Sequence, residues 1–388
     1  MKIAYYAPMK PPGHPVPSGD RSMARLLWTA LRRAGHDPLL ISRLRSYEGR
    51  GDPRQQRIIE RRAARVRRRL LDRFLAPGCV DRPALWFTYH LYHKAPDLLG
   101  PAICRALEIP YVVAEASHAP KQAGGPWTGG FESAREALLM ASRIIALNPV
   151  DVACVDRLLA TGQGRAPGVS RLAPFIDARR MRRWSRQAAA CRQLVRDLNL
   201  KPGIPVLITV AMMRNQAKLA SYALLARALK ELERRPWQLI IAGDGEARGE
   251  VESRFRGFAP GRVRFVGRLA GRSLAHHLGL ADLFVWPAID EAWGMVFMEA
   301  AAAGLPCVAG AAGGVAQVVA HGSSGLLVPK ADAGAFAAAL AELLADPQRR
   351  CLLAAGAVRK VLTGHDLEPA AARLQAILKG LERVKPHD

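Results

Sequence analysis

Short apolar runs alternate with longer stretches of helical periodicity from one end of the chain to the other. The runs at 2–7, 38–42, 84–89, 111–116 and 143–147 are mostly apolar, the signature of strands buried on both faces, and a more polar strand candidate follows at 170–173. Helical spacing fills the intervals at 21–33, 54–75, 96–107, 131–141 and 149–160. The second half repeats the scheme, with strands predicted at 206–211, 238–243, 263–267, 283–287, 307–310 and 326–328. Such alternation predicts an α/β protein with parallel sheets and crossover helices. At 388 residues the chain exceeds one ordinary core, so two domains of about 180 residues each are expected. The expected division is 1–176, an Arg-rich linker with some helix at 177–203, a second domain at 204–364 and a tail at 365–388. Within that tail, 367–384 reads as an amphipathic helix.

The most informative stretch is Asp290-Glu291-Ala292-Trp293-Gly294-Met295-Val296-Phe297-Met298-Glu299, followed by an Ala-rich run to Gly304 and Pro306. Pro287 breaks the preceding strand, Gly294 frees the backbone, and the run to Ala303 reads as helix. The open start of that helix offers unpaired N–H groups and a positive dipole end, a seat for phosphate. Two carboxylates beside it can accept hydrogen bonds from hydroxyls. A diphosphate flanked by two polyols fits, and a nucleotide-sugar is such a ligand.

Glu291 through Glu299, with the Glu-Ala-x-Ala-x-Gly-x-Pro tail, Gly313-Gly314 and Gly325-Leu326-Leu327-Val328-Pro329 beyond, resembles the Glu-x7-Glu motif of glycosyltransferase family 4. Pro174-Phe175-Ile176-Asp177 is similar to the end of that family's first domain. The resemblance is dense over about 205–328 and thinner over the first 200 residues. It implies the GT-B fold, two Rossmann-like doubly wound domains facing a cleft, with the last helix returning to the first domain. It also implies a retaining transferase that moves sugar from a UDP- or GDP-linked donor to a lipid-linked or other glycan acceptor in envelope glycan synthesis, lipopolysaccharide included. Glu299 would then bind ribose and Glu291 the donor sugar, with the amides near Gly294, Met295 and Val296 on the phosphate.

Ligands of open parallel sheets sit beyond the strands' carboxyl ends. Arg214 and Lys218 follow one strand and can clamp a diphosphate, the role the resemblance assigns them. The family usually shows Gly-Arg-Leu before a Lys-Gly pair, whereas here Met213 precedes Arg214 and Leu219 follows Lys218. By the same resemblance Gly243 and Arg268 line the nucleotide pocket. In the first half, Gly19 takes the place of a glycine facing the diphosphate, although its loop is proline-rich and lacks a Gly-Gly pair. Asp20 reads as an N-cap. His118 is the expected catalytic histidine, with Glu115 as the alternative and His90 and His93 as further acceptor contacts. No Asp-x-Asp occurs, so neither metal nor cofactor is expected. A sugar phosphorylase would need a pyridoxal-binding lysine context, which is not evident. An epimerase on the same fold and a basic binding protein without catalysis remain alternative readings, while a degenerate scaffold fits poorly with four retained donor residues.

Composition changes this picture in three ways. Six dispersed cysteines without Cys-x-x-Cys spacing predict reduced thiols, neither a zinc site nor a disulfide framework. The net charge of +24 is concentrated at 54–73, where nine arginines face only Glu60 and Asp72. There Ile59, Ala63, Val66, Leu70 and Phe74 form an apolar stripe, so the helix packs on its own domain, lies on an anionic membrane through Arg61, Arg65, Arg68 and Arg69, or does both. Without aromatic-interleaved basic strands, no nucleic-acid partner is expected. No apolar run is long enough to span a bilayer, and no signal-peptide core appears. The expected location is cytoplasmic, peripheral to the inner face of the cell membrane.

Overall fold

The structure, a computed structural model, describes residues 1–16, 18–161, 167–291 and 294–381. Ala292 and Trp293 of the motif, Pro17 of the proline-rich loop and 382–384 of the expected last helix lie outside them. The chain divides into unit 1, Met1–Pro174 plus a tail from Leu367, and unit 2, Phe175–Asp366.

Unit 1 is built on β1 (Lys2–Tyr6), β2 (Asp37–Leu40), β3 (Leu85–Leu91), β4 (Tyr111–Ala116), β5 (Arg143–Ala146) and β6 (Gly168–Arg171). They form a parallel sheet in the order β2-β1-β3-β4-β5-β6. Unit 2 carries β7 (Val206–Val210), β8 (Gln238–Ala242), β9 (Val263–Gly267), β10 (Leu283–Trp286), β11 (Cys307–Gly310) and β12 (Gly325–Val328). Its parallel order is β12-β11-β10-β7-β8-β9. The α/β fold with two doubly wound sheets is therefore the one the sequence pattern predicts. Each expected strand is present within a few residues, because helices cover both faces and leave the central strands apolar throughout. Leu207, Ile208, Leu239, Ile240, Phe284, Val285 and Val308 are wholly or almost wholly buried.

Asp97 is one of the buried polar residues of unit 1. Its carboxylate accepts from Trp86 Nε1 (3.1 Å), Tyr111 Oη (3.0 Å), Thr88 Oγ1, and the amides of Leu99 (2.9 Å) and Gly100 (2.8 Å). Burial raises its pKa, and the five donors make the buried carboxyl tolerable.

Residues 177–203 fold onto unit 2. The helices Ala178–Ser185 and Ala188–Asp197 both pack on the helix Gly271–Leu280. The approach is close: a Cβ on Gly279 would lie 2.0 Å from the Ser185 carbonyl oxygen. Buried Asp366 accepts from the Ala178 amide (2.8 Å) and Arg179 Nε (2.9 Å). From Leu367 the chain rejoins unit 1, where the helix Leu367–Lys379 lies on the helix Gly19–Arg33. Glu368 pairs there with Arg33 at 2.6 Å.

The basic helix spans Pro53–Leu75, with Asp52 as N-cap. Its apolar stripe is used inside unit 1: Ala63, Leu70 and Phe74 are buried, and Val66 packs against the same cluster. Arg61, Arg65, Arg68 and Arg69 are exposed. The stripe is therefore not available to a bilayer; the arginines are. Among the described residues no helix is long and apolar enough to cross a membrane. All six cysteines are free thiols, with Cys104 and Cys307 buried.

Candidate functional site

In unit 2 the strand order reverses at β7, which has β8 on one side and β10 on the other. Such a reversal opens a crevice at the carboxyl ends of the diverging connections. Lys218 follows β7 and Glu291 follows β10, and the fold brings them together as an ion pair. Trp286 Nε1 donates to the same Glu291 oxygen at 3.3 Å. The Lys218 ammonium lies 5.4 Å from the centre of the Trp286 ring, a cation–π distance. The two side chains are 22 % and 17 % exposed, so bulk salt screens the pair only in part.

The backbone around this pair is strained. Gln216 (φ 61°), Ala288 (φ 56°) and Asp290 (φ 54°) all occupy left-handed conformations without being glycine. Each costs about 1–3 kcal/mol and survives only where surrounding contacts impose it. Here Ser221 Oγ accepts from the Ile289 amide at 3.0 Å, and Lys330 pairs with Asp290.

The loops after β7, β8 and β9 are laced together by backbone. Met213 N donates to the Asp244 carbonyl (3.0 Å), Ala247 N to Met213 (2.9 Å) and Gly243 N to Gly267 (2.8 Å). A Cβ on Gly243 would fall 1.9 Å from the Ala211 carbonyl oxygen, and one on Gly245 2.3 Å from that of Met213. Only glycine permits this approach. The Arg214 and Arg268 side chains leave the same loops exposed.

Gly294 (φ 60°) starts the helix Met295–Ala303. A Cβ there would meet the Phe297 ring at 2.5 Å. The Phe297 amide already donates to the Gly294 carbonyl at 2.8 Å, which leaves the Met295 and Val296 amides as the open donors of the first turn. Glu299 follows on this helix, partly buried. Burial pushes its carboxyl up to about 7. No hydrogen bond or ion pair to a described residue satisfies it. Lys218, Glu291 and the helix start at Gly294 thus meet at one strand end, with Glu299 further along the same helix.

In unit 1 the sequence candidates do not all meet. Gly19 begins the helix Gly19–Arg33, with open space where a side chain would be. Its N-cap is Ser18, not Asp20. Ser18 is extended (φ −164°, ψ 168°), and its hydroxyl accepts from the Arg21 amide at 3.2 Å. Asp20, already inside the first turn, turns to His90 instead, Oδ1 to Nδ1 3.2 Å. His118 packs on Phe131, ring centres 5.0 Å apart. Burial, helped by the Arg135 charge, lowers its pKa. His93 stands edge-on to Trp127 at 5.8 Å. His90, read from the sequence as a further acceptor contact behind His118, lies against Asp20. Its signal was its position at the end of β3, shared by His93 nearby.

Residues 204–346 match the profile of the family described as Glycosyl transferases group 1. A D-inositol 3-phosphate glycosyltransferase of Catenulispora acidiphila is 34% identical over 221 residues, 54% of this chain and 49% of that protein. A GDP-mannose-dependent alpha-(1-6)-phosphatidylinositol monomannoside mannosyltransferase of Mycobacterium tuberculosis is 31% identical over 232 residues, 57% of this chain and 58% of that one. The chain thus spans about half the length of these curated relatives. Among solved structures, Anabaena HepE in complex with UDP superposes with a TM-score of 0.71 at 17% identity, covering 98% of this chain and 100% of that one. The segment 204–346, which contains Lys218, Glu291 and Glu299, thus matches the Glycosyl transferases group 1 model, on a chain whose two parallel-sheet units have the GT-B-type α/β fold of its structural neighbours.

Proposed function

We propose that this protein is a retaining glycosyltransferase whose unit 2 binds a nucleotide-sugar and whose unit 1 takes a glycolipid or glycan acceptor. The observation that carries the reading is the Lys218–Glu291 pair at the strand reversal, beside the helix start at Gly294. Lys218, Arg214 and the Met295 and Val296 amides neutralise the departing diphosphate. Glu291 holds hydroxyls of the donor sugar, and Glu299 accepts from the ribose diol. The leaving phosphate takes the acceptor's proton, so no strong protein base is required. In unit 1 the family resemblance assigns His118 to the reaction as well. The relatives named for inositol phosphate and phosphatidylinositol support an acceptor with a polyol head. A role in envelope glycan synthesis follows from that acceptor class.

A thermal-shift panel of UDP, GDP, ADP and their sugar conjugates, with and without magnesium, tests the donor half. One nucleotide should stabilise the protein equally in both conditions, by about 3 kcal/mol at a hundredfold excess over Kd. Silence across the panel would remove the reading.

The exposed arginines of the helix Pro53–Leu75 favour work at an anionic membrane surface. Since the apolar stripe is buried, the attraction is electrostatic, about 1 kcal/mol per basic residue near the lipid. Replacing Arg61, Arg65, Arg68 and Arg69 together with Gln should abolish co-sedimentation with phosphatidylserine vesicles. Undiminished binding would show that this helix is not the contact.

A further inference from the structure

Unit 1 repeats the arrangement found in unit 2. Its strand order reverses at β1, which lies between β2 and β3, and a residue from the helix after β1 meets one at the end of β3 as an acid beside a titratable base. Asp20, in the first turn after the β1 loop, faces His90 at the end of β3, Oδ1 to Nδ1 3.2 Å. His90 (φ 63°) and Glu115 (φ 59°) are left-handed without being glycine. They stand on neighbouring strands, one residue short of the pair Leu91 and Ala116. Two strained backbones side by side, both presenting titratable groups, mark a site the fold maintains at a cost.

The surroundings of the ring are acidic in a strongly basic protein. Asp20 comes from the helix Gly19–Arg33, Glu115 from β4 and Asp151 from the helix Pro149–Leu159, and all three charges act on His90. Tyr89 and Tyr92 flank the ring at 5.8 and 5.2 Å, and the Lys10 charge reaches Asp20. Burial disfavours the imidazolium, but the Asp20 contact and the Glu115 charge outweigh it, and the pKa is raised. Burial pushes the Glu115 carboxyl up to about 7. Glu115 Oε2 is shut off from solvent and has no hydrogen-bond partner among the described residues. It borders, with Asn148 and Asp151, a cavity of about 10 Å³, room for one water. The His90 side chain is 19 % exposed, and no described residue hydrogen-bonds its Nε2.

We propose that Asp20, His90 and Glu115 form a hydroxyl-binding site in unit 1, in which the free nitrogen of His90 accepts a hydrogen bond from a polyol of the acceptor. This rests on the glycosyltransferase reading. Nδ1 faces the Asp20 carboxylate at 3.2 Å, outside hydrogen-bonding geometry, and the nearby negative charge favours the neutral tautomer protonated at Nδ1, which presents a lone pair at Nε2. Glu115 and Asp151 set the pH at which that lone pair is lost.

The test uses the full chain with ¹³C-labelled histidine, myo-inositol and methyl α-glucoside as polyol probes, and the His90 ring signals followed by NMR across the neutral pH range. A polyol should shift the His90 signals at high pH, and the shift should vanish in acid as the ring protonates. Asp20→Asn removes a charge that favours the imidazolium, so the pH of that loss should fall. His90→Gln should weaken polyol binding about tenfold, the worth of one hydrogen bond, with nucleotide stabilisation unchanged. Ring signals unmoved by either polyol, in a protein that binds nucleotide normally, would overturn this site alone. Unmoved signals and no nucleotide response would overturn it together with the reading it rests on. A polyol shift whose pH dependence ignores Asp20→Asn would overturn the dyad.

Discussion

Glu299→Ala should weaken nucleotide binding by about 2–4 kcal/mol, roughly 30- to 1,000-fold in Kd, because a ribose diol loses its acceptor inside a partly buried site. Isothermal titration calorimetry with the nucleotide that responds in the thermal panel measures it; unchanged affinity would remove the ribose assignment. The free protein should carry the opposite mark. The Glu299 carboxyl is raised by burial to about 7, above its ordinary value, so it favours folding most below that ordinary value. The contribution is lost as pH rises through about 7. Glu299→Gln should therefore be more stable than the wild type by about 1–3 kcal/mol in alkaline buffer and nearly equal to it in mild acid. Urea unfolding at the two pH values separates these outcomes. A residue that destabilises the empty protein when ionised, yet is needed by the ligand, belongs to a binding site.

Lys218→Ala should lower affinity for the nucleoside diphosphate about a hundredfold and leave affinity for the free nucleoside unchanged. A charge-assisted contact to phosphate is worth about 1.5–3 kcal/mol, and Lys218 reaches no base or ribose in this assignment. Its removal also leaves Glu291 with Trp286 Nε1 as its remaining described partner. Stability should fall by about 1–2 kcal/mol, and the double variant Lys218→Ala/Glu291→Ala should recover most of it without recovering diphosphate binding. Equal affinity of Lys218→Ala for diphosphate and nucleoside would show that Lys218 only balances Glu291.

Strand positions were legible because parallel strands covered on both faces must be apolar throughout, and Leu283-Phe284-Val285-Trp286 ending at Pro287 leaves no other reading. The helix after Gly294 was legible for a similar local reason, a left-handed glycine followed by an uninterrupted Ala-rich run. The N-cap at Asp20 was misread because Ser18 and Asp20 both have capping chemistry. Only the entry angle of the chain, extended at Ser18, selects between them. The basic helix shows the same limit: its stripe predicts a buried face equally well for a protein core or a lipid, and packing in unit 1 decides.

By itself the sequence determined the alternation of strand and helix, the glycine-gated turns and the paired cations and carboxylates at 214–218 and 291–299, all of which are properties of neighbours along the chain. The tertiary structure decided which of these groups meet. Lys218 and Glu291 are 73 residues apart, and Asp20 and His90 come from a helix start and a strand end distant in the chain. The left-handed Gln216, Ala288 and His90 carry no local signal. Strand order brings such groups together and long-range packing imposes such strain, and neither leaves a periodicity in the sequence.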